Sequence, residues 1–160
     1  MNTRRENVLI LVLGLTLCSC APIKPMNNYK ADVTLWYDAF NKNDATLLDR
    51  VLSEKWVDIP PAPGQPAGPA GAKQLLTELT STFPDLKITI NDILQDGDKV
   101  VVRSQIKGTQ RKAFIGFPAK NRTMAIQAID IHEFKDGKIL RTWHTEDWMS
   151  GLHELGVFEK

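Results

Sequence analysis

Cysteine is nearly missing from this 160-residue sequence, and the two present, Cys18 and Cys20, both lie in its first twenty residues. The remainder therefore has no disulfide framework, no thiolate nucleophile and no cysteine-type zinc site. Neither sign of charge dominates: 20 basic and 19 acidic residues give a formal net charge of +1. With no basic stripe or acidic tail, a nucleic-acid partner is not expected. No Gly-Lys-Ser/Thr follows Gly64, Gly68 and Gly71, so there is no phosphate loop, and no Gly-x-Ser-x-Gly elbow marks an ordinary serine hydrolase. What is present is ordinary for one globular domain: 42% hydrophobic and 24% charged residues. That excludes a mostly disordered, collagen-like or multi-span membrane chain.

The N-terminus reads as an address. Arg4 and Arg5 precede an apolar run, Val8 to Leu17, too short to span a bilayer but of the length of a signal-peptide core. Leu17-Cys18-Ser19-Cys20 resembles a bacterial lipobox, with Cys20 as the lipidated residue; Leu15-Thr16-Leu17-Cys18 is a weaker competing box. Acyl chains add about 0.8 kcal/mol of membrane affinity per buried CH₂. Ala21 replaces the Asp of an inner-membrane retention signal, so the expected location is an outer membrane, facing the periplasm. An ordinary cleaved signal peptide with incidental cysteines is the alternative. The resulting organisation is a signal peptide over 1–19, a lipidated Cys and tether over 20–29, a folded domain over 30–156 and a tail over 157–160.

Val33, Trp36, Tyr37 and Phe40 follow the spacing of a half-buried helix. Asn43 or Asp44 can cap a short second helix carrying Leu47, Leu48, Val51 and Leu52. Trp56 to Ile59 is a brief extended piece. Five prolines between Pro60 and Pro69 force a loop. Ala72, Leu75, Leu76, Leu79 and Phe83 form a third helical stripe, ended by Pro84. Strands then take over: Leu86–Gln95 and Lys99–Lys107 flank Asp96-Gly97-Asp98, and Thr123–Phe134 and Lys138–Trp148 flank Asp136-Gly137. Ser150 to Leu155 forms a last turn or helix. About three N-terminal helices followed by antiparallel strands indicate an α+β fold, a curved sheet with those helices covering one face and a pocket between them.

Side chains alternate along a strand. Asp130 and His132 interrupt an apolar row with Met124, Ile126, Ala128 and Phe134; Leu140, Thr142, His144, Glu146 and Trp148 share a face of the next strand. The turn at Asp136-Gly137 makes these strands neighbours, so two His and two carboxylates converge on one wall. Burying them is costly unless they are partnered. General acid–base work is one reason for such a cluster, because an apolar cavity raises a carboxylate pKa and a His can share the proton. A solvent-facing or structural network is the bland alternative, and a two-His, one-carboxylate metal site a third. Trp56 and Trp148 could line a pocket, and Arg103 could bind a substrate oxygen; each also has an ordinary structural role.

Several pieces in order carry a family resemblance. Phe83-Pro84-Asp85-Leu86-Lys87-Ile88, Asp96-Gly97-Asp98-Lys99-Val100, Lys107-Gly108-Thr109, Gly116-Phe117-Pro118-Ala119, Ile129 to Phe134, Asp136-Gly137-Lys138-Ile139, Trp143 with Asp147, and Leu152-His153-Glu154-Leu155-Gly156 together resemble SnoaL-like polyketide cyclases and their ester-cyclase relatives. The resemblance covers about residues 30–156. It implies the nuclear-transport-factor-like α+β cone, a cone-shaped barrel whose strongly curved, mainly antiparallel sheet wraps around the helices, shared by ketosteroid isomerases and scytalone dehydratases. It also implies ring closure by intramolecular aldol chemistry without metal or cofactor. The family's acid/base carboxylate falls on Glu146, its His partners on His132 and His144, a polar pocket position on Asp130, and a substrate-facing polar residue on Asp58. Glu146 stands where the cyclases carry Asp and reaches one methylene further.

Two functions are therefore expected to compete. One is a cofactor-independent cyclase or isomerase acting on a small apolar carbonyl compound. The other is a non-catalytic lipoprotein that holds a hydrophobic ligand or a protein partner. A homodimer through the open sheet face would cover Ile129 and Ile131 in either case.

Overall fold

The computed structural model describes residues 27–159. The signal peptide, Cys20 and most of the tether lie outside the described residues. The elements are α1 (Lys30–Lys42), α2 (Thr46–Val51), β1 (Leu52–Ile59), α3 (Pro69–Thr82), β2 (Lys87–Asp96), β3 (Lys99–Thr109), β4 (Thr123–Lys135), β5 (Lys138–Glu146) and α4 (Trp148–Glu154). The five strands form one sheet in the order β1-β5-β4-β3-β2. Three pairs are antiparallel and β1 runs parallel to β5. The sheet is thus mixed and mainly antiparallel, with β1 and β2 as open edges, and α1 and α3 pack over its inner face.

Local chemistry explains the boundaries. The apolar stripe of α1 buries Val33, Trp36, Tyr37 and Phe40, and Asn43 closes the helix in the left-handed conformation at φ 50°. Asn tolerates that region, and its backbone N–H meets the orphaned carbonyls of the last turn. Pro69 opens α3, where its missing N–H is harmless, and Pro84 keeps Phe83 out of the helix. Asp136 and Gly137 both take positive φ, 52° and 78°, as a two-residue hairpin turn requires.

Three details depart from the sequence reading. Leu52 begins β1 rather than ending α2. A bulge in β5 sets Phe134 opposite Ile139 and Glu133 opposite Arg141, with Leu140 as the extra residue. Ile139, not Leu140, therefore fills the core beneath the hairpin. Finally, β5 stops at Glu146, because the Asp147 side chain accepts from the Ser150 backbone N–H and caps α4. Beyond α4, Val157 packs on the core and Glu159 pairs with Arg122 at 2.6 Å.

The core runs between helices and sheet through Val33, Leu48, Phe83, Val100, Val102, Met124, Ile126 and Ile139. Polar groups buried within it lie mainly toward β1, β4 and β5, where Asp58, Asp130, His132 and Thr142 cluster.

Candidate functional site

Register places the wall. Asp130 pairs with His144, His132 with Thr142 and Ala128 with Glu146. Parallel pairing adds β1, with Asp58 opposite Thr142. A cavity holding about 480 Å³ of empty space, its opening included, lies between this wall and the helices. Trp36, Tyr37 and Phe40 from α1, Leu75 and Leu79 from α3, and Ile88 and Ile106 from the sheet make it apolar. Its polar lining is Asp58, Ser104, Asp130, Thr142, His144 and Glu146, with the Tyr37 hydroxyl.

The inner polar set is a single directed chain. Tyr37 Oη lies 2.7 Å from Asp130 Oδ2 and 3.0 Å from His132 Nε2. The phenol has one proton, and the carboxylate takes it, so His132 Nε2 must donate to the phenol oxygen. His132 Nδ1 then accepts from Thr142 Oγ1 at 3.1 Å, and Thr142 in turn accepts from Trp56 Nε1 at 3.0 Å. Every proton in the chain points toward Asp130. His132 is fully buried and neutral, its pKa pushed down to about 3, first by burial and then by the charge on His144. Burial pushes Asp130 up to about 6, against the opposing effect of the Tyr37 hydrogen bond. Burial also raises Tyr37 well above the usual phenol range, with the Asp130 charge adding to it.

The outer set carries charge. His144 Nδ1 faces Glu146 Oε1 at 3.0 Å, while Nε2 faces the Pro60 carbonyl at 2.9 Å and Asp58 Oδ1 at 3.3 Å. A carbonyl brings no proton, so Nε2 carries one, and Nδ1 donates to the carboxylate: the ring is an imidazolium. Its pKa is raised to about 9, chiefly by the Glu146 hydrogen bond and against the opposing effect of burial, with the Glu146 and Asp58 charges and the Pro60 carbonyl adding to the rise. Asp58 is itself raised by burial and accepts from Gln65 Nε2 at 2.9 Å. The proline-rich loop is thereby tied to the site at Pro60 and Gln65.

The sequence-derived residues divide accordingly. Asp130, His144, Glu146 and Asp58 meet at the cavity. His132 joins them in the fold but does not line it, and both its ring nitrogens are engaged, so it acts through Tyr37. That also removes it as a metal ligand; among the described residues no group of three or more His, Cys, Asp or Glu is placed to hold a metal ion. Trp56 packs in the core against Trp36, ring centroids 5.5 Å apart, and supports Thr142. Two residues belong elsewhere. Arg103 is on the outer face, paired with Asp92 at 2.6 Å, because its place on β3 is out of phase with the inner row. Trp148 starts α4 and packs on Phe114 at 5.0 Å, since the strand has already ended. Missed were Tyr37, hidden among the apolar positions of α1, and Ser104. The signal for Ser104 was present: it breaks the alternating row Val100, Val102, Ile106.

Comparison with known proteins finds relatives in both sequence and fold. The sequence model of the family described as "SnoaL-like polyketide cyclase" matches residues 31–155. TsrD from Streptomyces laurentii is similar at 28% identity and a TM-score of 0.75, over 81% of this chain and 98% of that one. IdmH, a candidate polyketide cyclase from Streptomyces antibioticus, is similar at 26% identity and a TM-score of 0.71, over 81% of this chain and 99% of that one. No curated protein matches the chain.

Proposed function

We propose, from the premise that this chain belongs to the SnoaL-like polyketide cyclase family, that it is a cofactor-independent cyclase or isomerase acting on a small, mostly apolar carbonyl compound. The observation that carries this reading is the His144 imidazolium set between the Glu146 and Asp58 carboxylates, with Asp130 its register partner on β4, in a largely apolar cavity. Glu146 takes the proton from the carbon next to the carbonyl, and the C–H electron pair moves onto the carbonyl oxygen. The adjacent cation lowers the energy of the negative charge that develops there. In a ring closure the enolate carbon then attacks a second carbonyl, and Glu146 returns its proton to the new alkoxide. In an isomerisation it returns the proton to a different carbon. Asp58 is the second carboxylate against the cation and holds its ring, while Asp130, fixed by Tyr37, places a further carboxylate on the same wall to orient the substrate.

The test needs no knowledge of the natural substrate. NMR follows exchange of the α-protons of 2-tetralone in D₂O. The wild-type protein is expected to accelerate exchange over buffer, and Glu146→Gln to lower that acceleration by about 10²-fold or more with folding intact. Undiminished exchange in Glu146→Gln sinks the assignment. Binding of the ketone without acceleration by the wild type would support the ligand-holding lipoprotein instead.

Two finer features belong to the same reading. The Leu17-to-Cys20 box supports acylation at Cys20 and an outer-membrane anchor. Palmitate labelling of the full chain should vanish in Cys20→Ser and persist in Cys18→Ser. Leu94, Val101, Ile131 and Trp143 form an apolar row across the outer sheet face, register partner to register partner, which supports a homodimer through that face. Light scattering of a soluble 21–160 fragment should give twice the monomer mass, and the monomer mass once Ile131 is replaced by Lys.

A further inference from the structure

Along the inner row of β3, Val100, Val102 and Ile106 are buried aliphatic side chains, and Ser104 sits among them at 1% exposure. Its cross-strand partners, Ile90 and Ala128, offer it nothing polar. Two buried side-chain atoms among the described residues lack a hydrogen-bond partner, Ser104 Oγ and Gln110 Oε1, and of the two residues only Ser104 lines the cavity. An unmet buried hydroxyl weakens a fold, and an aliphatic side chain would serve the core better. The other donors facing this space are committed: Tyr37 Oη to Asp130, Thr142 Oγ1 to His132, and the two His144 N–H groups to Glu146 and Pro60.

The register says what this hydroxyl can reach. Ser104, Ala128 and Glu146 lie in one row across β3, β4 and β5. Two strand spacings, about 9.6 Å, separate the outer members of that row. The middle member is a methyl group, which leaves room for a flat ligand between a hydroxyl and a carboxylate. We propose that Ser104 binds the substrate's carbonyl oxygen, donating a hydrogen bond to an enolisable ketone that lies across Ala128 with its α-carbon toward Glu146. This rests on the acid–base reading of the wall and adds the group that orients the carbonyl and receives charge as the proton leaves.

The full chain is titrated with 2-tetralone labelled with ¹³C at the carbonyl, and with tetralin, which has the same rings and no oxygen. In the wild type the infrared carbonyl band of bound ketone is expected below its position in an apolar solvent. Ser104→Ala should return the band toward that position and reduce the preference for ketone over tetralin by up to about tenfold. The ligand-free variant should unfold no earlier than the wild type. In Glu146→Gln the displaced band and the preference should both persist, so loss of the acid–base reading leaves the Ser104 result readable. An unmoved band and unchanged preference in Ser104→Ala would overturn the proposal. So would a lower unfolding temperature of that variant without ligand, which would reveal an internal partner. Failure of the wild type to bind either compound would overturn it too.

Discussion

His132 and His144 face the same side of neighbouring strands, yet one ring is neutral and the other is a cation. His132 is enclosed by Tyr37, Thr142 and Trp36; the two hydroxyls satisfy both nitrogens of a neutral ring and Trp36 packs against it. His144 has Glu146, Asp58 and a carbonyl around it, all of which only accept. The pKa values diverge to about 3 and about 9. The residue type is the same in both places; enclosure and the sign of the partners decide the chemistry. The neutral ring builds the floor that fixes Asp130, and the cation supplies the field acting on a bound carbonyl.

The comparison can be broken at either ring. The largest effect is expected from His132→Ala, which opens a cavity and strands Tyr37 and Thr142. Urea unfolding should show a loss of about 3–5 kcal/mol. A loss under 1 kcal/mol would mean the chain of hydrogen bonds holds nothing together. Next comes Tyr37→Phe, which removes the link between His132 and Asp130 while keeping the ring. It should cost about 1–2 kcal/mol of stability and shift the pH profile of 2-tetralone exchange. An unchanged profile would detach Asp130 from the reaction.

The pH dependence of stability sharpens the contrast, because the two rings act in opposite windows. His132 refuses a proton that the unfolded chain accepts below about 6.5, so its contribution is lost as pH falls from 6.5 toward 3. Asp130, raised to about 6, protonates in the fold before it would in the unfolded chain and offsets part of that loss. The His144 contribution is fully present below about 6.5 and is lost as pH rises through 9. His144→Gln should flatten the alkaline limb of a Tm-against-pH curve and leave the acid limb in place. The smallest effect is expected from Arg103→Ala. Its exposed ion pair with Asp92 is worth at most about 0.5–1 kcal/mol, and 2-tetralone exchange should not change.

Much of this site was legible before the fold. Period-two alternation and a two-residue turn at Asp136-Gly137 are enough to bring Asp130, His132, His144 and Glu146 to one wall, since a tight hairpin leaves register little freedom. Depth was not legible. Spacing places His132 and His144 on one face but cannot say that α1 covers one of them with Tyr37 and Trp36. The Leu140 bulge left no mark in the pattern, because Ile139 and Leu140 are both apolar. Trp148 was misplaced because Asp147 reads equally well as a strand residue or a helix cap. Arg103 looked available because its partner Asp92 sits past a bulge in β2, where simple alternation loses count. Ser104 could have been found by asking why an aliphatic row contains a hydroxyl.

The fold splits its two inward histidines into a neutral support and a charged site residue. Long-range ¹⁵N–¹H NMR of histidine-labelled protein from pH 5 to pH 9 reads both rings directly. His132 is expected to remain a single neutral tautomer protonated at Nε2 throughout, while His144 stays doubly protonated past pH 8. Two rings titrating together near pH 6.5 would contradict it.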